Sequence, residues 1–446
     1  MKLTIFQSDK GDCLLLEADG GELMLCDGGM GPSMRNHVRA KLSNLRDDGR
    51  ELELVYVSHI DNDHISGVLQ LLEDEVSWRV FEHHQQNGDT VKKPGVPRPP
   101  VIKGILHNGF RDLITVNEKP IESLVAAKSI ENLLSAMAPS LFGTAVPELM
   151  KAAEEMQAIA TGVPEGIQVS KLIAPEALNI PLNKPPGVPP GPSKLLFAGQ
   201  PGERFDLGSM KFTLIGPTEK ELKKLRDGWN NWLRNNKERL KEIRAKMKKR
   251  VDEFSTGSLT DSPFDLRDWE GIPDYEGVSV PNIASLMFMV EENGKRLLLT
   301  GDGQQDFILA GLERTGFLAD EGLHLDVLKV QHHGSENNMD VDFARKVSAD
   351  HYVFCGNGEH ENPNLDVIKI IFNSRLGKAS VRALAPEAKN RKFHFWFSTT
   401  SAAQGENTKK KEHFQKLEKE VAQLAAKSNG LLRTHFNESA SIVLDI

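Results

Sequence analysis

Cysteine is scarce in this chain: there are three in 446 residues, Cys13, Cys26 and Cys355. Their odd number, wide spacing and lack of a C-x-x-C pair exclude a disulfide framework and a cysteine-based zinc site. They read as small buried apolar residues of a reducing compartment. Long apolar runs are also missing. No stretch approaches the ~18 uninterrupted apolar residues of a membrane span, and the first nine residues lack the apolar core of a secretory leader. The expectation is a cytoplasmic protein with no membrane partner. Positive charge is not in excess either. With 55 Lys and Arg against 63 Asp and Glu, the net charge is −8, which excludes a uniformly basic nucleic-acid-coating protein but not a local basic patch. The 37 glycines, 23 prolines and 26% charged residues are ordinary for a soluble globular chain and exclude collagen-like, purely coiled-coil and wholly disordered classes. The length suits two or three domains of roughly 150 residues, or one α/β fold with insertions.

What is present is a mixed α/β pattern. Short β-type runs at 3–6, 13–17 and 23–26 are divided by the turn signals Gly11-Asp12 and Asp19-Gly20-Gly21. A helical pattern over 34–47 precedes a buried-type strand over 52–57, and helical spacing resumes over 67–72. Residues 121–161 are rich in Ala, Leu and Met at helical spacing, broken by Pro139 and Pro147. The segment 183–192 carries five prolines and predicts a stiff extended linker. Strand patterns return at 194–197 and 211–215. Residues 219–254 predict a helical insertion with Leu222, Leu225, Trp229, Leu233, Leu240, Ile243 and Met247 on one stripe. A Ser/Thr/Asp/Gly-rich loop over 255–279 follows, then strands at 285–290, 296–300, 327–331 and 351–354. From about Lys389 a polar tail closes the chain, with a helix-like stretch at 412–427 and a strand pattern at 441–446. No internal repeat is visible.

The chemistry concentrates where apolar strands end. Residues 52–57 run directly into Ser58-His59-Ile60-Asp61-Asn62-Asp63-His64, a seven-residue turn holding two imidazoles and two carboxylates. Such groups after a buried strand are costly unless paired or metal-bound, and their density points to a metal site. Two other places repeat the layout. Leu297-Leu298-Leu299-Thr300-Gly301-Asp302-Gly303 is an apolar strand ending in a carboxylate. Leu328-Lys329-Val330-Gln331-His332-His333-Gly334-Ser335 is one ending in paired imidazoles. The C-terminal ends of strands are where α/β sheets carry their sites.

With these residues in place the sequence resembles the metallo-β-lactamase fold superfamily, and within it the ComEC-type branch, the hydrolase domain of the DNA-uptake competence channel and its soluble relatives. The resemblance is carried by Asp27-Gly28-Gly29, by the H-x-D-x-D-H-x-x-G variant (His59, Asp61, Asp63, His64, Gly67), by Thr300-Gly301-Asp302, by Leu328 through Ser335, and by Asn357-Gly358-Glu359-His360-Glu361-Asn362-Pro363. It covers residues 1 to about 110 and about 280 to 375. It implies an α/β fold, a four-layer αββα sandwich with helical insertions. The division is 1–118 for the first half of the core, 119–193 for a helical and Pro-rich insertion, and 194–218 for further core strands. Residues 219–279 form a basic helical insertion and loop, 280–388 the second half of the core, and 389–446 a C-terminal extension.

The resemblance also implies two divalent metal ions, zinc or manganese with magnesium a further candidate. His59 and Asp61 face one ion, Asp63 and His64 the other, Asp302 bridges them and His332 completes the ligand set of the second ion. Spacing leaves His332 and His333 open; His332, first after the strand, is the expected ligand, with His333 near the substrate. For the remaining histidine of the superfamily His107 is chosen, with His83 and His84 as runners-up. The sequence departs from the common pattern in having Asp61 where the family has His, which hardens that pocket towards Mn²⁺ or Mg²⁺.

A metal-dependent hydrolase follows as the implied activity, most directly a phosphodiesterase or nuclease that uses a hydroxide activated by two metals on DNA, RNA or a nucleotide. Asp63 is expected to orient the hydroxide, and His333 and His360 are the candidate general acids. Ser335 and Asn357 are candidates to hold a phosphate oxygen, although both residue types also simply make turns beside Gly. The insertion 219–254 carries thirteen Lys and Arg against seven Asp and Glu. Lys223, Lys224, Trp229, Arg234, Lys241 and Lys248 are its candidate nucleic-acid contacts; the alternative is an amphipathic surface helix with its tryptophans packed on the core. Other readings are lactone, thioester or amide hydrolysis at the same metals, or a nucleic-acid- or protein-sensing module of a bacterial defence system, with an oligomer or protein partner docking on the insertions. Gly28-Gly29-Met30-Gly31 lacks the spacing of a dinucleotide fingerprint, and no G-x-S-x-G surrounds Ser258 or Ser335.

Overall fold

The computed structural model describes residues 1–108, 169–170, 172–175, 177–189, 195–223, 285–406 and 408–446. The expected helices of 121–161, the loop of 255–279 and the basic insertion beyond Lys223 lie outside the described residues. So do Lys224, Trp229, Arg234, Lys241 and Lys248; Lys223 is exposed at the last described position before them.

Two sheets form the centre. The first holds six strands: β1 (Lys2–Phe6), β2 (Leu14–Glu17), β3 (Leu23–Cys26), β4 (Leu54–Tyr56), β5 (Ile105–Leu106) and β14 (Ser441–Asp445), in the order β14-β1-β2-β3-β4-β5. The second holds eight: β6 (Arg204–Leu207), β7 (Met210–Gly216), β8 (Met287–Glu292), β9 (Lys295–Leu299), β10 (Leu323–Lys329), β11 (Val347–Phe354), β12 (Phe393–Phe397) and β13 (Leu432–Phe436), in the reverse order β13 to β6. Pairing is antiparallel from β14 to β3 and from β6 to β9; it is parallel from β3 to β5 and from β9 to β13.

Strands such as Leu-Met-Leu-Cys (β3) and Leu-Val-Tyr (β4) are apolar at every position because both faces of their sheet are covered. Leu23, Leu25, Val55 and Val57 pack outward with Met34, Val38, Leu42, Val68 and Leu72. These come from helix α1 (Arg39–Asp47), from the π-type turn Met34–Val38 that leads into it, and from helix α2 (Asn62–Gln86). Met24, Cys26, Leu54 and Tyr56 face inward onto Phe212, Phe288, Leu297, Leu299 and Val353 of the second sheet. That sheet's far side, including Leu298, Phe354, Phe393 and Phe395, is covered by Ile308, Phe343, Ile368 and Phe414. These four belong to α3 (Gln305–Arg314), α4 (Val341–Lys346), α5 (Leu365–Leu376) and α6 (Lys409–Lys427). The result is a four-layer αββα sandwich, the fold class expected from the sequence.

Several local expectations are corrected. The run His59 to His64 is not a free turn: α2 begins at Asn62, so Asp63 and His64 sit in its first turn and Asp61 occupies its N-cap position. Residues 195–197 form no strand. Instead the Asn108 side chain donates to the Leu196 carbonyl at 2.8 Å and accepts from its N–H at 2.7 Å, standing in for a neighbouring backbone. Asn183, the first residue of the Pro-rich segment, similarly bonds the N–H and C=O of His107, each at 2.8 Å. The polar tail holds the helix and terminal strand expected at 412–427 and 441–446 and, beyond them, two strands that were not expected. β12 and β13 extend the second sheet, and β14 pairs with β1 from Lys2↔Asp445 to Phe6↔Ser441.

Candidate metal centre

The site lies where β4, β9 and β10 end, beside the β1–β2 turn. Two close backbone approaches set its shape. A Cβ on Gly11 would stand 1.7 Å from the Asp63 carbonyl oxygen, and one on Gly67 would stand 1.9 Å from that of Gly28. Only glycine lets the β1–β2 turn and the segment after β3 lie directly on the start of α2.

Asp302 is the centre of the arrangement. It is buried, and four imidazoles aim Nε2 at its carboxylate: His64 at 3.3 Å, His333 at 3.4 Å, His332 at 3.6 Å and His59 at 3.7 Å. His333 Nε2 is also 3.4 Å from Asp63, and His59 Nε2 is 3.4 Å from Asp61. In each ring the other nitrogen is held. Nδ1 of His64 is 2.9 Å from Asp27, that of His333 is 3.0 Å from Asp12, that of His332 is 2.7 Å from the Asn338 side chain, and that of His59 is 3.1 Å from the Ser58 hydroxyl. Asp27 is itself fixed by the Ser58 N–H at 2.7 Å and hydroxyl at 2.8 Å. A carboxylate on the remote nitrogen is how proteins orient a metal-binding imidazole and raise its basicity.

The unused atoms converge. Nε2 of His59, His64 and His333, Oδ1 of Asp61 and Asp302, and both ring nitrogens of His107 are buried without a hydrogen-bond partner. Asp61 makes no side-chain cap bond to α2, so its carboxylate is free for the site. Each unsatisfied buried polar group costs about 1–3 kcal/mol, and so many pointing one way ask for a cation. The spacing agrees. Ligands about 2.1 Å from a tetrahedral ion stand about 3.4 Å apart, matching the 3.3–3.7 Å separations around Asp302. Ligand atoms of Asp12, His64, Asp302 and His333 all lie within 4.8 Å of one another. The residues present therefore fit divalent metal.

Electrostatics divide the cluster. Burial disfavours a charged His64, but Asp302 and Asp27 outweigh it and raise its pKa well above the usual imidazole range. His333 is raised in the same way by Asp302 and Asp12. Burial alone would lift the carboxyls of Asp302 and Asp63, yet the histidines facing them hold both well below the ordinary range. His107 goes the other way: burial, then the neighbouring His59, pushes it down to about 4. Lys329, from β10, is a buried cation paired with Asp12 and 3.0 Å from the Gly301 carbonyl.

The structure thus gathers His59, Asp61, Asp63, His64, Asp302, His332 and His333, with His107 beside His59. His83 and His84 are in the last turn of α2, hydrogen-bonded to Asn87 and Asp89. At 1.5 Å per residue they lie about 30 Å along the helix from His64. Ser335 caps the short turn Glu336–Asn338, and Asn357 bonds Asp9 and the Glu359 N–H. His360 is exposed on the turn Glu359–Glu361 with φ 54°. Asp12, Asp27, Lys329 and Asn338 were not among the expected site residues. Asp27 directly follows a β-type run and opens the Asp27-Gly28-Gly29 motif, whereas Asp12 stands only in the Gly11-Asp12 turn signal before the next run.

Residues 9–76 match the model of the Metallo-beta-lactamase superfamily, a stretch that includes Asp12, Asp27 and His59 to His64. Among solved structures, the crystal structure of Zn²⁺-bound PqqB from Methylobacterium extorquens is similar at 10% identity over 100% of each chain, with a TM-score of 0.33. No curated protein matches. No helix among the described residues is long and apolar enough to cross a membrane.

Proposed function

From the premise that the chain carries a metallo-beta-lactamase superfamily domain, we propose that it is a metal-dependent phosphodiesterase acting on a nucleic acid or nucleotide. The observation that carries the metal-dependent part is the convergence of four imidazole Nε2 atoms on Asp302 while every Nδ1 is held from behind. His59, Asp61 and His107 would hold one divalent ion, Asp63, His64 and His333 a second, and Asp302 both. Such a pair lowers the pKa of water and neutralises charge on the attacked group.

The remaining work falls to side chains of the chain itself. His333 is given the ligand role on its equal 3.4 Å distances to Asp63 and Asp302. His332 has the most exposed of the four rings facing Asp302 and is steadied by Asn338; it takes the substrate-facing place, where it can pass a proton to a leaving oxygen. This reverses the order expected from position along the chain. Asp12 and Asp27 keep His333 and His64 in the tautomer that presents Nε2. The carboxylate donor Asp61 favours hard ions and phosphoryl oxygen, and the ComEC-type motifs support the same substrate class.

The test is a panel of linear, circular and single-stranded DNA, RNA, bis-p-nitrophenyl phosphate and a thioester, each with Mn²⁺ or Zn²⁺ and with Asp63→Ala as control. Metal-dependent cleavage of a phosphodiester, lost in Asp63→Ala, is expected. Turnover of the thioester alone would move the chain to acyl hydrolysis. No turnover of any member with metal bound would leave a sensing role.

A further inference from the structure

We propose that Lys329 is a built-in counter-cation of the metal centre, committing Asp12 to the back of His333 and holding the pocket together before any ion enters. The proposal rests on the metal-dependent reading above but not on which bond is cleaved.

Lys329 is the last residue of β10 and is 1% exposed. Val327, two residues earlier, faces the core between the sheets, and the two-residue period of a strand puts Lys329 on the same side. Its side chain crosses to the other sheet. The ammonium pairs with Asp12 of the β1–β2 turn, and lies 3.0 Å from the Gly301 carbonyl and 4.0 Å from Oδ1 of Asp302. Asp12 has the makings of a ligand, since its carboxylate lies within 4.8 Å of ligand atoms of His64, Asp302 and His333. Both its oxygens are engaged, however: Oδ1 is 3.0 Å from His333 Nδ1, and Oδ2 takes Lys329. Neither is among the buried atoms left without a partner, whereas Oδ1 of Asp61 and of Asp302 are. Charge points the same way. Asp12, Asp27, Asp61, Asp63 and Asp302 are five carboxylates around one pocket. Two divalent ions bring about four positive charges, and Lys329 brings one more. Among the described residues it is the only Lys or Arg within 4.0 Å of any of the five. Without it Asp12 would be a buried charge facing only imidazoles, which is strongly destabilising, and its nearest remedy would be the metal.

The test compares wild type, Lys329→Met, Asp12→Asn and the double variant. Dissociation constants for Mn²⁺ and Zn²⁺ are measured by chelator competition, and thermal midpoints are measured with chelator and with saturating metal. Wild type should stay cooperatively folded in chelator. Lys329→Met should lose roughly 5 °C or more in chelator and much less with metal. By linkage it should then hold its tighter ion roughly 10- to 100-fold more firmly, because Asp12 is freed to serve it. Adding Asp12→Asn should cancel that gain and restore most of the midpoint lost in chelator, since neither charge is left unpaired. Equal midpoint losses with and without metal, or unchanged or weaker binding in Lys329→Met, would overturn the role. So would a gain that survives Asp12→Asn, or a Lys329→Met chain that stays unfolded even with metal. Wild type that binds neither ion would sink the metal-dependent reading itself, and this role with it.

Discussion

The two halves of the proposed metal centre are built from the same residue types but supported differently. Around His64 and His333 each remote ring nitrogen meets a carboxylate, Asp27 or Asp12, and both imidazoles are pushed towards the charged form. Around His59 and His107 the support is neutral or missing. His59 meets a serine hydroxyl, His107 has neither nitrogen paired, and His107 is held down near 4. The lesson is that ligand identity does not set affinity alone. The half buttressed by Asp27 and Asp12 is prepared with basic, oriented donors and should hold its ion more tightly than the half at His59 and His107.

The largest effect should come from removing what the halves share. Asp302→Ala is expected to empty both, lowering metal per chain towards zero and any metal-dependent hydrolysis by about 10³-fold or more; retention of one tightly held ion would show that Asp302 belongs to one side only. Next, Asp27→Asn and Asp12→Asn should weaken the tighter ion by roughly 10- to 100-fold in chelator competition and leave the weaker one unchanged. Equal weakening of both ions would dissolve the distinction between the halves. A smaller effect is expected from His107→Leu. It should lose the weaker ion, yet in chelator-treated protein it should gain about 1–3 kcal/mol in urea unfolding, because an unsatisfied buried imidazole is gone.

The smallest expected effect is in pH dependence, and it has opposite signs in the two halves. In metal-free protein His107 titrates near 4 folded against about 6.5 unfolded. The unfolded chain therefore binds more protons between these values, and the stability present above 6.5 is lost as pH falls towards 4. His64, raised when folded, contributes stability below about 6.5 that disappears as pH rises through its folded value. Urea titrations across pH should show His107→Leu losing less stability on the acid side than wild type. An identical slope in both would refute the assignment.

The candidate site positions were legible because each announces itself locally. Apolar residues lead up to His59, Asp302 and the His332-His333 pair at the ends of β4, β9 and β10, and no folding need explains the polar residues that follow. The supports were not legible. Asp12 acts on His333 across 321 positions, and nothing in Gly11-Asp12 distinguishes a hairpin turn from a second-layer carboxylate. Lys329 was hidden differently, as the last residue of β10, whose partner, Asp12, comes from the β1–β2 turn of the other sheet. The aromatic alternation Phe393-His394-Phe395-Trp396-Phe397 in β12 was masked by the polar residues around it, although the helix-like 412–427 and the strand-like 441–446 do correspond to α6 and β14. Asn108 could not be foreseen as a substitute strand for Leu196, because side-chain mimicry of backbone leaves no periodicity.

The bare backbone contacts of Gly11 on Asp63 and Gly67 on Gly28 make this chemistry hostage to positions that touch no ion. An exhaustive substitution scan should return folded, metal-poor proteins at these three glycines, where even a methyl group would wedge α2 away from the ends of β4 and β9. Loss of activity there would map a mechanical tolerance of about an ångström, drawn in main chain, on which every donor atom of the pocket depends.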